Sequence, residues 1–501
     1  MRFAPLLLLA AGCAPAAVAP QFAEPGDWAA AGPGVPSVDF AEAELGEHCA
    51  YLDGGADDED HHNLAVVHDG WLLNPWSPEW GGGGLTVWDM SEPCAPTKVG
   101  EGAAPLMRES HSLAFAQIDG RDFVAVDYHE EVPGQEAIGG VGFWDITAPT
   151  APVWLSHLAL PGYEYPDSYL RLTLHTTWQG DYVYVAGAFN GVYVVDARDP
   201  ENPTLAAQHS FEGNMLVGSF HVVGDRALAG FAGGSRTILA DLSDPLAPAP
   251  LPNGDFGLRD GEGTEISYYF PNLSGPYALF ARKHNGGGPV VYDLDVPGQP
   301  RFVADHFTAG GAGGYVFGQN SHLFQGDGDF GTVYDWDGAT ITERLEVDLR
   351  GDLDTVTPFG NLAIVAVDEG ADEGQATAVV PWDTAPDGVA PSIGWHRPAD
   401  GDRFVATSAR FGLSLDEMIE PRSAHPGSVR VWDEALQPLA VRFNVAENVV
   451  NISPKQPLEP DTTYFVEVPP GGLTDISGNA LGEALRFRFS TGETLAAWWD
   501  E

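Results

Sequence analysis

Positive charge is scarce in this chain. Lys and Arg number 23 against 72 Asp and Glu, for a formal net charge of −49 over 501 residues, and lysine occurs only at Lys98, Lys283 and Lys455. A surface of this sign repels nucleic acid and anionic membrane, so nucleic acid is disfavoured as a partner and a membrane is met through an attached lipid only. The same surface suits cations or a salty medium. Cysteine is also rare, with only Cys13, Cys49 and Cys94. Long apolar runs are missing: the stretch Leu6 to Ala11 is too short to span a bilayer. There is no Gly-x-Ser-x-Gly elbow, Walker loop, His-Glu-x-x-His or dinucleotide fingerprint. With so many carboxylates some pair always lies close, so abundance alone does not point to a glycosidase dyad.

What is present is repetition. Five times an aspartate is followed by proline four and seven residues later: Asp89/Pro93/Pro96, Asp145/Pro149/Pro152, Asp196/Pro200/Pro203, Asp241/Pro245/Pro248 and Asp293/Pro297/Pro300. Each ends a β-branched and aromatic run, which Asp and Pro cannot continue. In one copy Tyr182 to Ala186 and Val192 to Val195 read as a hairpin, and Thr204 to Gln208 as a further strand. Equivalent hairpins recur, with worn copies ending at Asp335 and Asp383, so seven anchor aspartates stand about 42 to 56 residues apart. Units of this size with roughly four strands each predict a seven-bladed β-propeller, an open solenoid being the alternative. No strand is left to complete the last unit before the character of the sequence changes. The segment His48 to Leu52 is therefore expected to close the ring.

The pattern Gly-x-x-x-x-Asp-x-Ser/Thr-x-Pro-x-x-Pro, carried by Gly84 to Pro96, Gly140 to Pro152, Gly191 to Pro203 and Gly288 to Pro300, resembles the LVIVD repeat of bacterial and archaeal surface proteins. Asp241 keeps the prolines but has Arg236 in place of the glycine. The resemblance implies a propeller and an envelope or extracellular location, and no established reaction.

The start, Met1-Arg2-Phe3 with Leu6 to Gly12 before Cys13, resembles a bacterial lipoprotein signal, which implies residues 1–12 as signal and Cys13 as the lipidated residue. An ordinary secretion signal is the alternative. Residues 13–45 read as an Ala/Pro/Gly-rich tether, and 46–389 as the propeller. A Cys49–Cys94 disulfide is the expectation for the remaining pair in an exported protein, against two buried free thiols, and it would staple the ring closure.

Candidate binding groups are few. Acidic loops at Asp57 to Asp60, Asp327 to Asp329, Asp335 to Gly338 and Asp368 to Glu373 suit structural calcium, although none has EF-hand spacing and no other cofactor is expected. His62, His111, His175 and His221 stand just ahead of the hairpins of successive units. If they face a central channel, His111, His175 and His221 are candidate metal ligands; the alternative is repeated packing against backbone carbonyls. Trp71, Trp76, Trp80, Trp178, Tyr163, Tyr165 and Tyr169 could line a glycan or peptide surface, or belong to the core.

From about Ala390 short alternating strands predict a hundred-residue sandwich, residues 390–492, with a tail at 493–501. The stretches Pro457 to Tyr464 and Gly472 to Leu481 resemble the bacterial Ig-like domain of surface-layer proteins, with Asp475 and Asn479 forming a turn. The expectation is thus an all-β, exported, lipid-anchored protein of the outer membrane or cell surface. Its propeller would present a face to an envelope protein or polysaccharide, with the Ig-like domain as spacer or adhesion module. The alternative is an extracellular enzyme acting on carbohydrate or using a metal held by channel histidines.

Overall fold

Seven antiparallel four-stranded units follow one another along the chain, each built outward from an innermost strand. In a computed structural model, the described residues are 32–52, 64–77, 82–108, 110–130, 138–162, 175–213, 215–295, 300–368, 370–372 and 374–498. Blade 3 shows the pattern: His175–Gln179, Tyr182–Ala186, Val192–Asp196 and Thr204–His209 pair in sequence order. Blades 1, 2, 4 and 5 begin at Val66–His68, Ala114–Ile118, Val217–Val223 and Pro271–Ser274, and blade 6 at Val316–Gln319. One long strand, Ile341–Phe359, is both the outer strand of blade 6 and the inner strand of blade 7, bending at Gly351, whose φ of 126° is open to glycine.

Ring closure uses the chain's start. Ala50–Tyr51 pairs antiparallel with Thr377–Pro381, Ala50 opposite Val379 and Tyr51 opposite Ala378, as the fourth strand of blade 7. This is the strand expected at His48 to Leu52. Cys49, beside it, is bonded to Cys94 in the turn of blade 1, so the covalent link joins the closing strand to the neighbouring blade.

The recurring aspartates end the third strand and cap the turn after it. The carboxylate Oδ1 accepts the backbone N–H two residues on at Asp89, Asp145, Asp196, Asp241 and Asp293, over 2.7 to 3.2 Å. In blade 6 the strand runs on to Trp336, and Asp337 takes over the cap with bonds from Ala339 and Thr340. The worn copy is therefore a two-residue extension of the same device.

Residues 393–490 form a sandwich of a four-stranded and a three-stranded sheet. Phe411, Leu413, Val431, Val450, Ile452, Val466, Phe487 and Phe489 fill its interior. The Asp475 turn forms as expected: Asn479 donates its backbone N–H to Oδ1 at 2.8 Å and its amide to Oδ2 at 2.9 Å.

Candidate functional site

In every blade a two-residue turn joins the first and second strands: Asp69-Gly70, Asp119-Gly120, Gly180-Asp181, Gly224-Asp225, Gly275-Pro276, Asn320-Ser321 and Gly360-Asn361. The first residue of each has positive φ, the signature of the primed turns that match the twist of a hairpin. These seven turns converge on one end of the propeller, and the Ig-like domain sits on them.

The seating is polar and specific. On the hairpin Val441–Ala446/Val449–Pro454, Asn444 accepts the Gly180 N–H and donates to Phe115 O. Asn451 accepts from Gly224 N and Gln179 Nε2 and donates to Val222 O, all within 3.0 Å. Asn448 donates to Gly318 O. All three are buried, so the hairpin lies across the channel mouth and reaches blades 2, 3, 4 and 6. Around it Arg422 pairs with Asp69 at 2.7 Å, Arg397 with Asp225 at 3.1 Å, Arg442 with Asp181, and Gly275 donates to Leu415 O. The Ig-like domain is thus docked on the propeller as a cap.

At the opposite end lie the connections between blades, with His111 and His175; His221 lies within the strand Val217–Val223, nearer the Gly224 turn. The structure does bring His111, His175 and His221 to the channel, because they stand on or just before the innermost strands. The rings of His175 and His221 are 4.2 Å apart, while His111 Nδ1 bonds the Tyr315 hydroxyl at 2.7 Å and stacks on Phe270. Burial pushes the His221 imidazole down to about 4; burial, then the neighbouring His221 and His111, hold His175 well below the usual range. Neutral imidazoles could ligate, but these three are not among the groups of described residues whose ligand atoms all lie within 4.8 Å of one another. Phe270, Tyr315 and Phe317 stack in series beside them and fill the channel with aromatic surface. His62 lies outside the described residues.

Several carboxylates of the acidic loops are bonded within the protein. Asp327 accepts from Gln325, Thr332 and Tyr334 within its own blade and from the Gly288 N–H of blade 5, while burial raises its carboxyl to about 6. Asp335 pairs with His322 and Arg344, and Asp372 with Arg350. Asp57 to Asp60, Glu369 and Glu373 lie outside the described residues, as do Cys13, Trp80, Tyr163, Tyr165 and Tyr169. Trp76 and Trp178 are core, and Trp71 packs against it.

Among the described residues two side-chain clusters have ligand spacing: His68, Asp69 and Asp122, and Asp387, Glu417 and Asp475. Neither was expected. The first has the Arg422 guanidinium against it, 2.7 Å from Asp69 and 3.7 Å from Asp122, so a fixed cation already occupies its charge. The interface asparagines were also missed, although three of them within eight residues, Asn444, Asn448 and Asn451, in a hairpin otherwise rich in valine were a visible irregularity.

The outer face around the channel carries one exposed aromatic among the described residues, Phe307, 57% exposed, with Arg282 above its ring at 5.5 Å. Arg282 is fixed by Asp260 at 3.2 Å and Asp305 at 3.0 Å. Arg282 is itself buried, so the exposed Phe307 ring, backed by this fixed guanidinium, is what the face presents, a surface suited to the apolar side of a sugar or peptide.

Residues 178–209 match the family described as LVIVD repeat, and residues 387–491 the family described as bacterial Ig-like domain. No curated protein sequence matches the chain. Among solved structures, Raptor of Chaetomium thermophilum aligns at 12% identity with a TM-score of 0.48 over 70% of this chain and 29% of that one. The computationally designed Ika8 protein aligns at 10% with a TM-score of 0.39, over 81% and 99%. A candidate 6-phosphogluconolactonase from Bacteroides uniformis aligns at 11% with a TM-score of 0.45, over 57% and 84%. At these scores the alignments carry no argument, and the chain spans less than a third of the Raptor length. A bacterial Ig-like domain suggests a cell-surface or exported protein, and among the described residues no helix is long and apolar enough to cross a membrane. The chain joins a seven-bladed propeller bearing the LVIVD repeat to a C-terminal bacterial Ig-like domain.

Proposed function

We propose that this is an exported binding protein of the bacterial cell envelope, anchored by lipid at Cys13, whose propeller presents its outer face to an envelope polysaccharide or protein. The observation that carries the reading is the cap: the Ig-like domain occupies the end where the seven hairpin turns meet, which leaves the opposite end, with its longer inter-blade connections, as the free face. There the exposed Phe307 ring, with the buried Arg282 fixed against it, supplies the contact surface, and the net charge of −49 turns away nucleic acid and bare anionic membrane.

The test is co-sedimentation of residues 32–501 with purified peptidoglycan sacculi and with isolated surface polysaccharide, in parallel with Phe307→Ala and Phe404→Ala. Phe404, 72% exposed, belongs to the Ig-like domain. Loss of about tenfold in affinity on Phe307→Ala, with Phe404→Ala unchanged, is expected for an exposed aromatic anchor. Binding that depends on Phe404 alone, or no binding to either fraction, would overturn the propeller-face reading.

A further inference from the structure

Asp387, Glu417 and Asp475 each bring a carboxylate oxygen within 4.8 Å of the other two. They come from separate places: Asp387 from the segment that leaves blade 7, Glu417 from beyond the strand Phe411–Leu415, and Asp475 from the Asn479 turn. Glu417 is 2% exposed and Asp475 fully buried. Buried carboxylates this close need compensation, because the interior stabilises neither their charge nor their mutual repulsion. In the other cluster Arg422 supplies it. Here the leading charged neighbours of Glu417 are further carboxylates, Asp475, Asp387 and Asp416, and burial together with them and a hydrogen bond to Asp387 pushes its carboxyl up to about 11. Burial is likewise the main cause that raises Asp475, to about 6.

A second observation points into the same space. The Glu417 Oε1 atom is enclosed and has no hydrogen-bond partner. Asn320, from the blade 6 hairpin turn, donates its amide to Glu417 Oε2 at 3.3 Å and to Asp387 Oδ1 at 3.5 Å, and its own Oδ1 is left without a donor. Turning that amide by half a rotation would bring its oxygen to the carboxylates as a fourth ligand. A cleft of about 740 Å³, lined in part by Asn320, Asp387 and Asp416, opens alongside and gives solvent ions access.

We propose that Asp387, Glu417 and Asp475, with Asn320, form a binding site for one divalent cation, calcium by its all-oxygen donors, which ties the connecting segment and the Ig-like domain to blade 6. Calcium accepts carboxylate and amide oxygens in an irregular shell and so suits side chains drawn from three separate segments better than magnesium, which demands a near-octahedral one. The site is independent of whatever the outer face binds.

The experiment uses residues 32–501 stripped with a chelator, titrated calorimetrically with calcium and, separately, magnesium, and melted with and without about 1 mM calcium, a concentration typical of extracellular sites. Calcium is expected to raise the Tm by about 2–4 °C. Glu417→Gln keeps the shape and, like the protonated Glu417 of the cation-free protein, is neutral, so it should melt close to the parent in chelator yet lose the calcium response; Asp387→Asn should weaken it. An equal calcium response in Glu417→Gln and parent, or none in the parent, would overturn the site.

Discussion

His175 and His221 are held neutral by burial, with their rings in contact in the channel. The sign of the resulting pH dependence follows directly. A histidine whose folded pKa is depressed contributes stability that is full above its unfolded value near 6.5 and is lost as the pH falls through the folded value, for His221 about 4. Between pH 6.5 and 5 the loss from His221 should be about 1–2 kcal/mol. Urea midpoints at pH 7 and 5 measure it, and His221→Gln should flatten the difference; an unaltered slope would show that the channel does not govern acid stability. At the same scale, the Asp-Pro-Pro recurrence was legible because it is local chemistry: an aspartate bonding the N–H two residues on, and prolines that cannot continue a strand. The turns under the Ig-like domain were equally open to reading as Asp-Gly and Gly-Asp pairs, but their meeting at one surface was not, since it depends on the arrangement of whole blades.

The closing strand is the decisive element. Ala50 and Tyr51 pair with Thr377–Pro381, and the flanking Cys49, Leu52 and Gly46 donate their N–H groups to Val379, Thr377 and Pro381 carbonyls, so this short segment satisfies an edge that would otherwise be open. The Cys49–Cys94 bond holds this short strand next to blade 1 across a sequence separation of 45 residues. Reducing it, or Cys94→Ser with Cys49→Ser, should lower unfolding free energy by about 2–4 kcal/mol through the larger freedom of the unfolded chain. Denaturation with and without reductant measures the loss, and matching midpoints would mean that strand pairing alone secures the ring. That residues near position 50 complete a blade ending near position 381 was legible from strand arithmetic. The sharing of Ile341–Phe359 between blades 6 and 7 was not, because a continuous strand leaves no turn signal between its halves.

For the molecule as a whole, the Ig-like domain and the propeller share a buried polar seam. Asn451 alone makes three hydrogen bonds across it. Asn451→Ala leaves the Gly224 N–H and Val222 carbonyl without their partner, which should cost about 2–4 kcal/mol of coupling between the domains. Calorimetry of residues 32–501 should show one transition in the parent and two in the variant. A single unaltered transition in both would mean that the seam contributes little to cooperativity.

Taken alone, the sequence determined the repeat, the blade count, the strand that closes the ring and the class of the C-terminal domain, because each follows from short-range patterning of strand formers, turn residues and glycines. Tertiary structure alone decided that the Ig-like domain caps one mouth of the propeller, that His111 meets Phe270 and Tyr315 while His175 and His221 meet each other, and that Asp387, Glu417 and Asp475 come together. Those contacts join residues tens to hundreds of positions apart, and no local preference of the chain encodes which distant side chains will share a buried space.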